Sequence, residues 1–524
     1  GRVERTHTKD FYWQWDNMLK WNKTFGKHAF DFTFLANWEK FQRWHDEMTN
    51  ENFLPTDELG YGGIGFGTSP NVSSDDVYRT GDAFMGRLHY VYDQRYLITA
   101  TVRRDGYSAF GLANPRATFP AIALGWVFSE EKFLHRPDWF EYGKLRLSWG
   151  KNGNRAVGTY AAFMQLAPRK YIYVDPATGS LVTANTFYAS TMANPNLKWE
   201  STTSWNIGTD LTFLKGRLSA NLDVYKKITT DLLVSRELPS LIGYSSVMSN
   251  IGEVQNTGVE LSLNSTNIRM DKLTWRTSFS LAYNKNKITH LYGIMEDVKD
   301  ADGNVIGQRE ADDIKNKRFI GHDIDEIWDY KVVGIWQEEE REAAKYGQQP
   351  GDVHLLDKDM NYKYDNTDKE FQGTTMPRLR WSMRNDFTLF KNFNISFNMY
   401  SYIGHKKTLG RFTNDNALLN VTNQIKRDYW TPENRNNEYP RLANKKPAGV
   451  SYAIYKNASF LRFDNISIGY TFPKKLIEPL RIQNLNVNAT MKNAGYISGW
   501  PGYDPENSDA NTPRVIYFGI NLTL

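Results

Sequence analysis

The closing stretch, Arg514-Val515-Ile516-Tyr517-Phe518-Gly519-Ile520-Asn521-Leu522-Thr523-Leu524, decides how the chain is read. Ile516, Phe518, Ile520, Leu522 and Leu524 fall on one side of a strand, and Val515, Tyr517, Gly519, Asn521 and Thr523 on the other. One face is apolar without a break, and the other turns small or polar. A half-buried soluble strand also alternates. An apolar, aromatic strand at the end of the sequence is an edge unless something pairs it, and closing a barrel against a first strand does so. The stretch predicts an all-β protein, a large antiparallel transmembrane barrel or most of one.

Composition agrees. The 524 residues are 40% hydrophobic, with a mean hydropathy of -0.59. No apolar run is long enough for a spanning helix, whereas a barrel keeps modest hydropathy because only alternate residues face lipid. The 16 Trp, 30 Tyr and 29 Phe suit interfacial girdles or sugar-stacking loops. With no Cys, disulfides and thiolate metal sites are excluded. The net charge of +5 is spread along the chain and does not point to nucleic acid. Neither a starting Met nor a signal peptide opens the sequence, so a processed chain or a fragment is expected.

Working back from the terminus, strands are expected at about Leu485–Lys492, Ser459–Thr471, Phe393–Tyr402 and Arg380–Phe390. Val259, Leu261 and Leu263 alternate with polar residues up to the Met270-Asp271-Lys272 turn, and Leu273, Trp275, Phe279, Leu281 and Tyr283 do so beyond it. Further strands are expected at Arg217–Ile228, Trp199–Phe213, Lys144–Gly150, Thr118–Phe128, Tyr96–Arg104, Gly81–Tyr92, His28–Gln42 and Asp10–Lys23. This is roughly 15 strands, many near the length that crosses a bilayer. Short turns alternate with long loops at about 43–80, 151–196, 289–376 and 407–455. Short periplasmic turns and long external loops are what an outer-membrane barrel shows, and a soluble sandwich has no reason to sort its loops by parity. Counting back from a terminal strand that ends on the periplasmic side places Gly1 in an external loop. Single-chain bacterial barrels close with an even number of strands, so the remainder is expected from another chain or segment.

Several blocks resemble one family, the SusC/RagA-like TonB-dependent transporters of Bacteroidota. They include Arg104-Asp105-Gly106 with Phe110-Gly111, Lys144 to Gly150, Asn194-Pro195-Asn196-Leu197-Lys198-Trp199-Glu200 and Asn250-Ile251-Gly252-Glu253. Towards the end come Phe460-Leu461-Arg462 and Gly502-Tyr503-Asp504-Pro505-Glu506. The resemblance covers about 450 residues. It implies the C-terminal part of a 22-stranded outer-membrane barrel that is not an enzyme, with the plug domain and first strands outside this chain. It implies import of oligomeric nutrients, glycan or peptide, under a SusD-like lipoprotein lid. TonB–ExbB–ExbD would act through the missing N-terminal region, and transporter–lid units would pair as dimers. Terminal Leu524 departs from the Phe usual in such barrels. Two rivals remain: a siderophore or cobalamin receptor, which the blocks disfavour, and a soluble secreted all-β glycan-binding protein or glycosidase, which the sorted loops disfavour.

Ligand contacts are expected among the loop aromatics Tyr107, Tyr160, Tyr171, Tyr173, Tyr188, Tyr244 and Trp500, since aromatic faces suit sugar rings and apolar peptide side chains; girdle or packing roles compete for each. Asp357-x-Asp359-x-Asn361, with Asp365 and Asp368, resembles the start of a loop that wraps a structural calcium. Tyr362 stands where such a loop needs Gly, and a solvated acidic loop is the competing reading. Glu338-Glu339-Glu340 cannot flank one glycosidic bond and reads as a solvated helix start. The Gly60–Gly67 run lacks the Lys-Ser/Thr of a phosphate loop. The nine His have no zinc spacing.

Overall fold

The computed structural model describes residues 1–53, 61–238, 240–244, 246–300, 302–409, 428–442, 444–507 and 510–524. Residues 54–60 of the first expected loop, including Gly60 of the glycine run, and 410–427 of the last lie outside the described residues.

Fifteen strands form one antiparallel sheet in which every strand pairs with its neighbours in sequence order. They are β1 (Arg2–Phe25), β2 (His28–Glu51), β3 (Asn71–Tyr92), β4 (Tyr96–Tyr107), β5 (Arg116–Trp126), β6 (Phe140–Asn154), β7 (Glu200–Phe213) and β8 (Leu218–Thr230). The sheet continues through β9 (Glu253–Arg269), β10 (Leu273–His290), β11 (Leu379–Leu389), β12 (Phe393–Ile403), β13 (Phe460–Thr471), β14 (Asn484–Ser498) and β15 (Val515–Thr523). Among the described residues β1 and β15 are its two edges, and they do not pair with each other.

The alternation read at the terminus sets the faces of the whole sheet. Ile516, Phe518, Ile520 and Leu522 stand opposite Met491, Ala489, Val487 and Leu485 of β14, and antiparallel partners share a face. Phe518 is 81% and Ile520 71% exposed. Carried through the registers, this outward face includes Ile468, Phe397, Leu281, Leu261, Val224, Ile207, Leu147, Leu124, Ile98, Leu88, Phe32 and Trp21. A wall with its large apolar residues outside and polar ones inside is the reverse of a soluble core, and it suits lipid. No helix among the described residues is long and apolar enough to cross a membrane.

The expected parity of connections is present. The turns after β1, β3, β7, β9 and β11 are tight; Gly26 takes φ 56° and Asp93 and Gln94 take 52° and 56°. The opposite end carries the longest connections; the exceptions are residues 127–139 after β5 and 472–483 after β13, which are long at the tight-turn end, and 108–115 after β4, which is short at the other. Two expectations need correction. The first loop does not begin at Arg43 or run to Thr80: β2 continues to Glu51 and β3 starts at Asn71, paired residue by residue. Arg43 to Glu51 has only Trp44 and Met48 among polar residues and so reads as loop, yet the backbone ladder needs no continuous apolar face once a neighbour supplies partners. The stretch 289–376 is not irregular either, because it holds three short antiparallel pairings.

Two packed cores stand on the loop side. One gathers Tyr330, Ile335, Val353 and Leu355 from the β10–β11 connection, Leu409, Trp430, Tyr452 and Ile454 from the β12–β13 connection, and Trp500 from the β14–β15 connection. Asp352, fully buried, ties two of these by accepting from Arg441 Nε at 2.7 Å and Lys445 N at 2.8 Å. The acidic run is the solvated start expected for a short helix, with Glu340 at the N-cap position of the 3-10 turn Arg341–Tyr346 and exposed Glu338 and Glu339 both paired with Arg435. The second core joins Tyr107, Phe110, Phe119, Ala162, Leu197 and Trp199.

Candidate functional site

The inward faces of β1 to β5 meet the segment after β6 around a cavity of about 800 Å³. Its polar lining follows from strand alternation, because Tyr12, Gln14 and Asp16 occupy the inward positions of β1, Asn37 and Glu39 those of β2, and Arg103 and Asp105 those of β4. The groups form a ladder. Tyr12 Oη donates to Gln14 Oε1 at 2.6 Å, Gln14 Nε2 to Asp16 Oδ2 at 2.7 Å, and Asn37 Nδ2 to Asp16 Oδ1 at 2.6 Å. Arg103 Nε donates to both Asp105 oxygens at 2.9 Å, and Arg155 pairs with Glu39. A recess of about 400 Å³ adjoins it, where the Arg155 guanidinium lies 5.2 Å from the Tyr107 ring centre and Arg79 lies 4.2 Å from that of Phe41. Such a surface offers donors and acceptors in alternation beside aromatic faces, which suits reversible binding of a polar oligomer.

Sequence reading pointed instead to loop aromatics, and the structure does not bring the seven together. Tyr107 is buried in the second core and also lines the recess. Tyr160 is a pin: its Oη accepts from Tyr78 N at 2.9 Å and donates to Asp76 O at 3.3 Å. Trp500 is buried in the first core and packs rather than facing the mouth. Tyr244 is half-buried. Tyr171, Tyr173 and Tyr188 do share a face, that of a hairpin between Gln165–Val174 and Leu181–Thr191, where Tyr171 and Tyr173 stack at 6.3 Å. Its other face shows Ile172 and Phe187, 63% and 69% exposed. The groove residues were visible as the polar half of each alternation; what marks them as a site is that three separate strands, β1, β2 and β4, bring them together.

The acidic loop partly converges. Carboxylate oxygens of Asp357, Asp359 and Asp368 lie within 4.8 Å of one another. Asp357 Oδ2 accepts from Tyr346 Oη at 2.8 Å and Tyr362 N at 2.9 Å, while its Oδ1 is buried without a partner. Asp368 is fully buried and accepts from Lys358 N and Asp365 N, each at 2.9 Å. Asp365 and Asn361 turn elsewhere: Asp365 caps Thr367, and Asn361 Nδ2 donates to Asp359 at 2.8 Å. Tyr362 adopts φ 64°, the left-handed conformation that Gly supplies in a calcium loop. Lys345 Nζ, 4.0 Å from its ring centre, holds it there. Burial opposes charge on Asp357, but the Tyr346 and Tyr362 hydrogen bonds outweigh it and hold this carboxyl below the usual range. Burial and the adjacent Asp357 push Asp359 up. An all-oxygen, mutually repelling donor set with one unpaired oxygen fits a hard cation.

The blocks noticed in the sequence are joined in space. Asn250 Oδ1 accepts from Lys198 N at 2.8 Å, its Nδ2 donates to Lys198 O at 2.6 Å, and Gly111 N donates to Leu197 O at 2.9 Å. Arg462 and Asp504, with side chains 3% and 1% exposed, pair at 2.5 Å. Arg462 Nε sits 2.6 Å from Glu506 Oε2, close enough for an ion pair but off the N–H direction.

Comparison with known proteins places this arrangement. A family model described as TonB dependent receptor-like, beta-barrel matches residues 2–494. The chain is 28% identical to TonB-dependent receptor P3 of Formosa agariphila, over 95% of this chain and 49% of that protein. It is 32% identical to TonB-dependent receptor SusC of Bacteroides thetaiotaomicron, over 84% of this chain and 43% of that protein. The chain thus spans about half the length of the curated relatives it matches. Among solved structures, the RagAB peptide transporter superposes with a TM-score of 0.78 at 20% identity, covering 99% of this chain and 56% of that one.

Proposed function

Because the chain belongs to the family of TonB-dependent receptor-like β-barrels, we propose that it is the wall and mouth of a SusC-like importer of oligomeric nutrients. It lies in the outer membrane. The observation that carries the reading is the inward groove, whose paired charges and aromatic edges can hold a polar oligomer in several registers and let it go. The cargo is a glycan or a peptide. No bond is made or broken in the cargo; the work is capture and passage, driven through TonB–ExbB–ExbD. The doubly apolar Gln165–Thr191 hairpin supports a SusD-like lipoprotein partner at the mouth, since so much exposed apolar surface calls for cover. Transporter–lid units are expected to pair.

Deleting the gene in its host should abolish uptake of one oligomer class while leaving uptake of the corresponding monomer intact. A Tyr12→Ala, Asp16→Ala double variant should lower that uptake roughly tenfold at unchanged membrane level, about the effect of removing two ligand hydrogen bonds. Unchanged uptake of both oligomer classes in the deletion strain would sink the proposal. A defect confined to iron-limited growth would point to a siderophore receptor.

The acidic loop favours a second, structural reading, in which Asp357, Asp359 and Asp368 hold a calcium ion. Titration with Ca2+ should raise the unfolding temperature with an affinity of about 0.1–1 mM, as in extracellular modules. Asp357→Asn should remove the response. A response retained by that variant would place any ion elsewhere.

A further inference from the structure

The outward face changes character at its loop-side margin. Lys226 of β8 stands opposite Thr257 of β9, which stands opposite Lys285 of β10. One step higher the row is Ile228, Gln255 and Lys287. These rows lie on the same side as Val224, Val259 and Tyr283, the top of the apolar band. Trp205 of β7 flanks Lys226, and Trp149 of β6 flanks Trp205. The adjacent Lys227 confirms the sidedness, since it lies inward, 4.5 Å from the ring centre of inward Tyr225.

All three lysines are exposed. None forms an ion pair among the described residues, and their neighbours in the same rows, Thr257, Gln255, Ile228, Trp205 and Tyr283, are neutral; Glu253, one row higher, accepts from Thr289 Oγ1 at 2.7 Å instead of pairing with a lysine. The ammonium groups spring from strands about 10 Å apart across β8 to β10. Lys285 stands about 25 Å above Trp275 along the tilted strand, the height of an outer-membrane apolar band. Three lysines without an ion-pair partner among the described residues, at that height and directly above apolar and aromatic side chains, face headgroups rather than hydrocarbon or open water.

We propose that Lys226, Lys285 and Lys287 form a binding site for the phosphate-bearing headgroup of a lipid in the outer leaflet. The charge complementarity supplies one half of the recognition and the apolar band beneath supplies the other, against the acyl chains. A free phosphate ion is a poor occupant. The strand backbone there has its N–H groups committed to the ladder, so three flexible ammonium groups alone would hold the ion. The proposal rests on the outward face being the lipid face, and goes beyond the import reading.

The test is native mass spectrometry of the protein purified from outer membranes in detergent and stripped of lipid. The probes are phosphorylated lipid A, the same lipid A after phosphatase treatment, and phosphatidylethanolamine. Phosphorylated lipid A should be retained best, and millimolar inorganic phosphate should not displace it. The K226Q/K285Q/K287Q variant should lose about a hundredfold in affinity, the scale of three interfacial lysines. K227Q, one lysine removed from the inward side, should bind as the parent does. Heat-dependent gel mobility of each variant reports that the barrel has folded. Equal retention of the two lipid A forms, equal affinity of the triple variant, or displacement by inorganic phosphate would each overturn the proposal. A barrel that still needs detergent in those cases leaves the import reading standing.

Discussion

At the scale of single residues, the informative positions are those whose partners are far away in sequence. Arg462 and Asp504 were each visible inside a recognisable block, yet nothing in either block says that one neutralises the other inside the protein. That pairing needs β13 and β14 side by side. His405 is a position the sequence does not mark at all. It is 3% exposed, and burial, with Lys407 and Arg380 nearby, pushes its imidazole down to about 4 from an ordinary 6.5. The unfolded chain therefore takes up a proton that the folded chain refuses. Stability from this group is fully present above pH 6.5 and drains away as pH falls towards 4. The protection factor of the Ala458 amide, whose N–H donates to His405 O at 3.0 Å, should fall between those limits once exchange is corrected for its intrinsic pH dependence. His405→Gln should flatten the dependence; an unchanged pH profile in that variant would assign the sensitivity to another group.

Among the elements, the connections that fold together matter more than their lengths. The β4–β5 loop and the segment before β7 are welded by Gly111, where an added Cβ would lie 2.0 Å from Pro195 O. The obstacle is backbone, so no rotamer relieves it. Gly111→Ala should cost about 1–3 kcal/mol, in the range of overpacked sites. Proteolysis of residues 107–115 and 194–199 should speed up in that variant while the transition of the barrel wall in denaturant stays put. A shared shift of both would show that loop and wall unfold as one. The strands were legible because alternation against lipid is a strict rule. The upper halves of β2 and β3 were not, because beyond the membrane neither face has to be apolar. The folded connection between β10 and β11 was also hidden, since its core borrows Trp430 and Trp500 from other loops.

For the molecule as a whole, one architectural fact was readable in the sequence: five tight turns at one end and the longest loops at the other. The groove was not, because it is built from the half of each strand that any barrel makes polar, and its identity lies in which strands stand near one another. The Gln165–Thr191 hairpin stands apart from this wall and pairs only with itself. Replacing it by a short Gly-containing turn should leave heat-dependent gel mobility of the barrel unchanged and cause the lid lipoprotein to be lost on detergent purification. Retention of the lipoprotein would move its seat to another loop.

The core shared by Tyr330, Leu409 and Trp500 has a mechanical meaning. Three strand connections that end in one packed body cannot swing separately, so they behave as a fixed doorpost. At the other edge of the sheet, β1 and β2, at 24 residues each, run about 80 Å, far beyond the bilayer, and among the described residues neither contributes to a packed core. Any opening at this entrance is therefore expected to leave these three connections in step with one another.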